Sequence, residues 1–176
     1  GIAVFRENKL IGWLNEQESK GLNYIKGNVQ RTFIVFDMND GEIGIELSES
    51  KSDIEPQFQD DKLSIKVKIT GEADVAEVNT KLNLMSSNVF TELEKKTNNE
   101  IKDVVLKVIS SAQKEFRSDI FGFGEIVHQK NSKEWAKLKE SWGESFPDVP
   151  VDVHVDIKIQ RTGTISDPFQ NELIKE

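Results

Sequence analysis

Short segments of alternating or clustered apolar residues predict β-strands in the first half of the chain. Residues 2–5 and 10–13 are apolar runs on either side of a polar turn, a pattern typical of a hairpin. Residues 29–38 contain the run Phe-Ile-Val-Phe, which is compatible with a strand buried on both faces. An Asp-Gly turn, alternating residues 43–47 and alternating residues 63–70 follow. Together the last three segments predict an antiparallel meander.

A helix is predicted between the hairpin and the meander. Asn15 followed by Glu18 resembles a capping box, in which each residue satisfies a backbone N–H of the other. Leu22 lies on the apolar face of this helix, which we expect to end near Gly27. Gly21 inside the helix indicates either a local weakness or a site of close packing.

The middle of the chain changes to helical periodicity. Between residues 86 and 117 the apolar positions recur three or four apart and form one stripe, which predicts a long helix packed across a sheet. Asp119 is placed to cap a second helix that ends near Gln129. Asn131 is placed to cap a third helix that ends at Trp142.

The last clear pattern is the strict alternation of Val151–Gln160, with Val and Ile on one face and polar residues on the other. Strands, then helices, then a closing strand predict an α+β fold. We expect an antiparallel or mixed sheet, made of the meander plus the C-terminal strand, with a long helix and two shorter helices packed on one face. We expect residues 1–176 to form a single domain, with residues 164–176 as a terminal tail or short helix.

Composition narrows the classes of function. The chain has 23 Lys and Arg against 31 Asp and Glu, a net charge of −8 at pH 7. This acidic balance argues against a nucleic-acid partner, because such partners need a basic patch. The absence of cysteine excludes thiol catalysis, disulfides, iron–sulfur clusters and thiolate zinc sites. The chain starts at Gly1 without a signal peptide or a membrane-length apolar run, so we expect a piece of a larger protein whose anchor lies outside it.

A metal site is disfavoured by the spacing of the candidate ligands. Asp152, His154 and Asp156 share one strand face, about 6–7 Å apart, too far to meet at one ion without a neighbouring strand. The favoured interpretation is a solvated strand face that pairs with Lys66 and Lys68 across the sheet. We therefore expect no metal and no cofactor.

Catalysis is disfavoured by the motifs. His128 lies near a predicted helix end, but the sequence has no Gly-x-Ser-x-Gly motif that would supply a nucleophile for it to activate. Residues 122–124 lack the glycine spacing of a phosphate-binding loop. We expect a protein that is not an enzyme. The glycines around residue 123 instead suit a junction where two helices approach closely.

Two aromatic segments, the junction around residues 120–123 and the loop 142–149, are candidates for either an interaction surface or structural packing. Packing is the stronger interpretation, because aromatic residues near a helix junction hold helices to a sheet. The candidate residues are Asp119, Ile120, Phe121, Gly122, Phe123, Gly124, Trp142 and Phe146.

A series of segments spread over residues 1–163 has an order and spacing known from one protein family. The series comprises Ala-Val-Phe at 3–5, Lys-Leu-Ile-Gly-Trp-Leu at 9–14, Glu-Ser-Lys-Gly at 18–21, Ser-Asp-Ile-Phe-Gly-Phe-Gly-Glu at 118–125, Trp135, Trp142, Phe-Pro-Asp-Val at 146–149, the strand at 151–159 and Arg-Thr-Gly at 161–163. It resembles the C-terminal domain of the Ger(x)C spore germination proteins.

The resemblance implies the C subunit of a nutrient germinant receptor of Bacillus- or Clostridium-type spores. In that family the full protein is a lipoprotein on the outer face of the spore inner membrane. It works with an integral-membrane A subunit and a membrane B subunit to trigger germination in response to amino acids, sugars or nucleosides. No catalytic residues come with the resemblance. Because this chain has no lipid-bearing cysteine, we expect membrane attachment through a lipid anchor on a part of the protein outside it.

Three hypotheses of function follow. The leading one is a non-enzymatic module that acts by protein–protein interaction. The second is a small-ligand domain that binds a nutrient, which would need a concave pocket with converging polar groups. A hydrolase on an unfamiliar arrangement is the least favoured.

Overall fold

A computed structural model describes residues 1–6, 8–38, 41–79 and 87–160 of the chain. The described strands form two sheets, one of two strands and one of four. Their bounds are β1 (Ile2–Arg6), β2 (Lys9–Leu14), β3 (Gln30–Met38), β4 (Gly41–Gln59), β5 (Lys62–Asn79) and β6 (Val151–Gln160). The first two form the predicted hairpin, and the other four lie in the order β3-β4-β5-β6.

The larger sheet is mixed. Strands β3, β4 and β5 pair antiparallel, as the meander predicted, and β6 returns parallel to β5. The predicted Asp-Gly turn begins at residues 39–40, which lie outside the described residues. The register places Lys66 opposite Asp152 and Lys68 opposite His154, so these residues are cross-strand neighbours, as predicted.

Helix α1 (Glu16–Lys26) begins and ends where the sequence predicts. The backbone N–H of Glu18 donates to Oδ1 of Asn15 at 2.9 Å, and the backbone N–H of Asn15 donates to Oε2 of Glu18 at 2.7 Å. The helix ends at Gly27, whose φ of 65° lies in the left-handed region that glycine adopts without strain. The capping-box prediction is confirmed.

Helix α2 (Ser87–Ser110) continues into a π-helical turn, Ser111–Glu115, and carries the predicted apolar stripe. The stripe packs against α1 and β6. Its fully buried members include Leu93, Thr97, Ile101, Val105, Val108 and Ala112. The glycine in α1 is a site of close packing, since a Cβ on Gly21 would overlap the carbonyl oxygen of Val104.

Three shorter helices lie between α2 and the last strand. They are α3 (Phe123–Lys130), α4 (Ser132–Leu138) and α5 (Trp142–Ser145). Asn131 caps α4 through its side chain, as predicted. The predicted end of this helix at Trp142 is wrong, because the chain tightens into a 3₁₀ turn, Lys139–Ser141, directly after Leu138.

The core lies between the helices and one face of the larger sheet. The buried inner face is built from Val, Ile and Leu at alternate positions, whereas the other face is mostly polar. Its fully buried members include Ile43, Ile45, Leu47, Ile65, Val67, Ile69 and Ile157. The arrangement is an α+β fold with a mixed sheet, which confirms the predicted fold class.

The predicted burial of β3 on both faces is wrong. Phe33 and Val35 are 62% and 60% exposed, and Ile34 and Phe36 are half-buried. The physical reason is that β3 is an edge strand of a sheet whose helices cover one face only. A continuous apolar run therefore did not require two covered faces here.

Two sequence predictions extend past the described residues. The single domain over residues 1–176, and the tail or short helix over 164–176, stay predictions. Within the described ranges, no helix combines the length and the apolar content that crossing a bilayer requires.

The close approach of α1 and α2 predicts a specific cost for a methyl group at position 21. Substituting Gly21→Ala would push Cβ against the Val104 carbonyl and to 2.9 Å from Cγ1 of Val108. We expect the free energy of unfolding to fall by about 1–3 kcal/mol in urea denaturation.

Gly143→Ala is the matched control, because a Cβ at that position meets no atom within 4 Å. We expect this variant to be neutral, or stabilised by up to about 1 kcal/mol through helix propensity. Equal stability of the two variants would contradict the packing argument.

Candidate functional site

The carboxylate of Asp119 organises the junction between α2 and α3. Its Oδ1 accepts the backbone N–H groups of Gly122 at 2.9 Å and Phe123 at 3.0 Å. Its Oδ2 accepts the backbone N–H of Gly124 at 2.8 Å and the indole Nε1–H of Trp142 at 3.1 Å. One carboxylate therefore caps the first turn of α3 and also ties this turn to Trp142, which lies 23 residues after Asp119.

The two glycines of the junction have different reasons to be glycine. Gly122 has a φ of 78°, in the left-handed region, and allows the chain to turn into α3. Gly124 lies against two indole rings, and a Cβ there would come within 2.8 Å of both Trp135 and Trp142. The predicted close packing is confirmed at Gly124, whereas Gly122 is required for its backbone conformation.

A row of aromatic rings runs from the core to the surface at this junction. The ring centroids of Phe121 and Phe123 are 4.9 Å apart, and those of Phe123 and Phe146 are 6.4 Å apart. The row continues to Trp142 at 5.9 Å from Phe146, and Trp135 meets Trp142 edge-on at 5.5 Å. Rings in this range of distances add to the stability that their burial provides.

Two side chains hold this aromatic row to the rest of the molecule. The ammonium group of Lys26, at the end of α1, donates to the carbonyl oxygen of Phe121 at 2.7 Å. The buried amide of Gln113, in the π-helical turn, donates to the carbonyl oxygens of Phe146 at 3.0 Å and Val149 at 2.8 Å. The junction is therefore fastened to α1, to the end of α2 and to the loop before β6.

The structure brings the eight candidate residues into one cluster but buries much of it. Phe121, Phe123, Gly124 and Phe146 are buried, whereas the other four are half-buried. A cluster so packed supports the fold through internal contacts. The surface that it leaves for a partner is mainly at Ile120 and Trp142.

Sequence reasoning missed a more exposed apolar surface on the first hairpin. Phe5, Leu10 and Trp13 are 59%, 51% and 63% exposed. A signal was present in the sequence, because Leu10, Ile11, Trp13 and Leu14 are more apolar residues than one buried face of a short strand can use. We call Phe5, Leu10 and Trp13 the hairpin surface.

Two adjoining shallow cavities lie between α1 and the edge strand β3. Each has a volume of about 190 Å³, and they share Lys20, Tyr24 and Thr32. Ligand pockets usually measure about 300–1,000 Å³. Burial, with a smaller contribution from the carboxylate of Glu100, raises the pKa of the Tyr24 hydroxyl to about 12.

The histidines lie at exposed positions. His128 is in the last turn of α3, where the sequence placed it near a helix end, with Nδ1 3.8 Å from Oε2 of Glu125. His154 lies on the polar face of the sheet. In the part of the chain that the structure describes, no three His, Asp or Glu side chains converge in a way that could hold a metal ion.

The fold and the junction together define the class of protein. A solved structure described as "Crystal Structure of the GerBC protein" shares the fold, with a TM-score of 0.78 and 21% identity, over 88% of this chain and 48% of that one. The family model for "Spore germination B3/GerAC like, C-terminal" matches residues 1–163. The chain belongs to this family, which confirms the resemblance found in the sequence.

Curated relatives agree with this assignment. Spore germination protein KC of Bacillus subtilis (strain 168) is 27% identical over 98% of this chain and 43% of its own length. Spore germination protein B3 of the same organism is 24% identical over 94% of this chain and 44% of its own length. The chain thus spans less than half the length of these relatives.

The hydrogen bonds of Asp119 predict a large structural effect for its removal. In Asp119→Ala three backbone N–H groups at the start of α3 and the Trp142 indole lose their acceptor. We expect a loss of about 2–3 kcal/mol in the free energy of unfolding, measured by urea denaturation.

The matched control is Asp148→Ala, which removes an exposed carboxylate 3.3 Å from Lys114. Its effect should stay within about 0.5 kcal/mol, because exposed ion pairs contribute little. A loss for Asp119→Ala no larger than that of the control would mean that its carboxylate does not hold the junction.

The raised pKa of Tyr24 predicts a loss of stability in strong alkali. The unfolded tyrosine ionises near pH 10 and the folded one near 12, so its contribution is intact below pH 10 and falls as the pH rises towards 12. Tyr24→Phe should remove this part of the pH dependence of the unfolding free energy. Tyr24 is the sole tyrosine of the chain, so absorbance of tyrosinate reports its ionisation directly. A midpoint near 10 in the folded protein would contradict the prediction.

Proposed function

We propose that this chain is a non-enzymatic domain of the C subunit of a spore nutrient germinant receptor. It acts through protein–protein contacts that support germination. The observation that carries the proposal is the family match, which extends over residues 1–163. The named relatives that are similar along almost the whole chain are spore germination proteins.

The described surface supports an interaction role over catalysis or nutrient binding. The two adjoining cavities beside Tyr24 are shallow and open to solvent, whereas ligand pockets enclose most of the ligand's surface. The exposed positions of His128 and His154 leave neither in a water-excluding cleft of the kind that activates a nucleophile. Apolar residues are nevertheless exposed on the first hairpin, and contiguous exposed apolar patches mark contact sites.

The proposed partners are the A and B subunits of the receptor, contacted through the hairpin surface. The proposed location is the outer face of the spore inner membrane. A lipid anchor on a part of the protein outside this chain would hold it there. The net charge of −8 is consistent with a domain that keeps away from the anionic lipid surface and contacts its partners instead.

The test is a germination assay with full-length protein in spores. Replacing Phe5, Leu10 and Trp13 together by Ser should reduce nutrient-triggered germination strongly while leaving the melting temperature of the domain within a few degrees, because these side chains are more than half exposed. Deleting residues 1–163 should abolish the response.

Leu106→Ser is the matched control, since it removes an exposed apolar side chain that lies on α2 and outside the hairpin surface. We expect normal germination from this variant. An unchanged response after deletion would contradict the proposed function, and an unchanged response after the triple substitution alone would contradict the hairpin surface.

A further inference from the structure

The two edges of the four-stranded sheet are treated differently. At β6 two backbone N–H groups in the second half of the strand bond to α2: the N–H of Ile157 donates to Oδ1 of Asn98 at 2.8 Å, and the N–H of Ile159 donates to Oε1 of Glu94 at 3.1 Å. A covered edge cannot pair with another strand. The second half of this edge is therefore covered by α2.

The other edge, β3, is the end of the strand order, with β4 as its neighbour on one side. Phe33 and Val35 project from its outer face and are about 60% exposed, while Ile34 and Phe36 on the inner face are half-buried. Among the described strands β3 pairs with β4 alone, and an apolar edge strand of this kind is a template for one more strand. The side chains of β3 indicate which strand would pair with this edge.

We propose that β3 pairs antiparallel with β3 of a second copy of this chain, about a two-fold axis at Ile34. The two sheets would then join into one continuous sheet. Across the axis Phe33 faces the partner's Val35 on the outer side, and Thr32 faces the partner's Phe36 on the inner side. Directly opposed residues in antiparallel strands share a face, so apolar side chains meet apolar side chains on the outer side.

Charge complementarity selects this arrangement. Arg31 lies opposite the partner's Asp37. The two-fold symmetry repeats this pair, so one pair of opposite charges lies at each end of the paired strands. Glu46 is the cross-strand neighbour of Phe33 and therefore lies on the outer face. The Arg31 side chain lies on the same face, because its Nε is 3.4 Å from Oε1 of Glu46. Asp37 has the same parity as Arg31 and is exposed on the same face.

Other registers lose these contacts. Moving the axis by one residue in either direction places Arg31 opposite the partner's Val35, or Asp37 opposite the partner's Phe33. Moving the axis by half a residue places outer-face residues of one β3 opposite inner-face residues of the other. A single register therefore satisfies the charges and the apolar residues together, and the same strand supplies both halves. The inference concerns self-association and does not depend on the proposed role in germination.

The experiment is sedimentation equilibrium of the 176-residue chain over a concentration series up to about 0.5 mM, where micromolar complexes are saturated. We expect a monomer–dimer equilibrium. Arg31→Asp and Asp37→Arg should each raise the dimer dissociation constant about tenfold, since each creates two like-charge pairs across the axis. The double variant should return to within about threefold of the original value, because it restores opposite charges.

The design separates association from folding. Arg31 has a φ of 46°, and aspartate tolerates this left-handed region better than most residues, so the substitution suits the backbone. Asp53→Arg is the matched control, with the same charge change on the same face but on β4, and should leave the dissociation constant within about twofold. Melting temperatures in dilute solution verify the fold of each variant.

A chain that stays monomeric throughout the series would overturn the proposal and would leave the β3 edge to a different partner. Unchanged association in both single variants would also overturn it. So would a double variant as weak as the singles, because only the paired charges across the two-fold axis predict the rescue.

Discussion

The structure depends on covering one face of the four-stranded sheet with α1 and α2. The sheet places Ile and Val side chains on that face, and the two helices bury them only if they lie close together. They approach so closely at Gly21 that its missing side chain leaves room for the carbonyl oxygen of Val104. Burial of apolar area is the largest stabilising contribution to folding, so the close approach that lets both helices cover this face is a condition for the whole fold.

Polar side chains then fix the elements that the helices alone would leave loose. Glu18 is buried, caps α1 and accepts a 2.6 Å hydrogen bond from Oγ of Ser111 at the far end of α2. Asp119 and Gln113 do the same for the junction and the loop before β6. The hydrogen bonds of Glu18 to Ser111, of Asp119 to Trp142 and of Gln113 to Val149 join segments distant in sequence, and this makes the packing specific as well as stable.

The surfaces left over by this packing differ from those that the aromatic motifs suggested. The aromatic junction is largely consumed by the core, whereas the first hairpin and the β3 edge keep apolar side chains in solvent. Within the described residues, both places have several apolar side chains that the core does not bury. A domain that contacts other chains would use surfaces of this kind.

The sequence alone determined those features that depend on residues only a few positions apart in the chain. The capping box at Asn15, the long apolar stripe after residue 86 and the alternation of β6 all follow from local geometry, and with them the α+β class. The family resemblance was also available in the sequence. The tertiary structure alone decided which apolar residues are covered, because burial depends on elements far away in the chain. Phe33 and Trp13 are exposed, and Trp142 reaches Asp119, only because of how the sheet, the helices and the junction are placed.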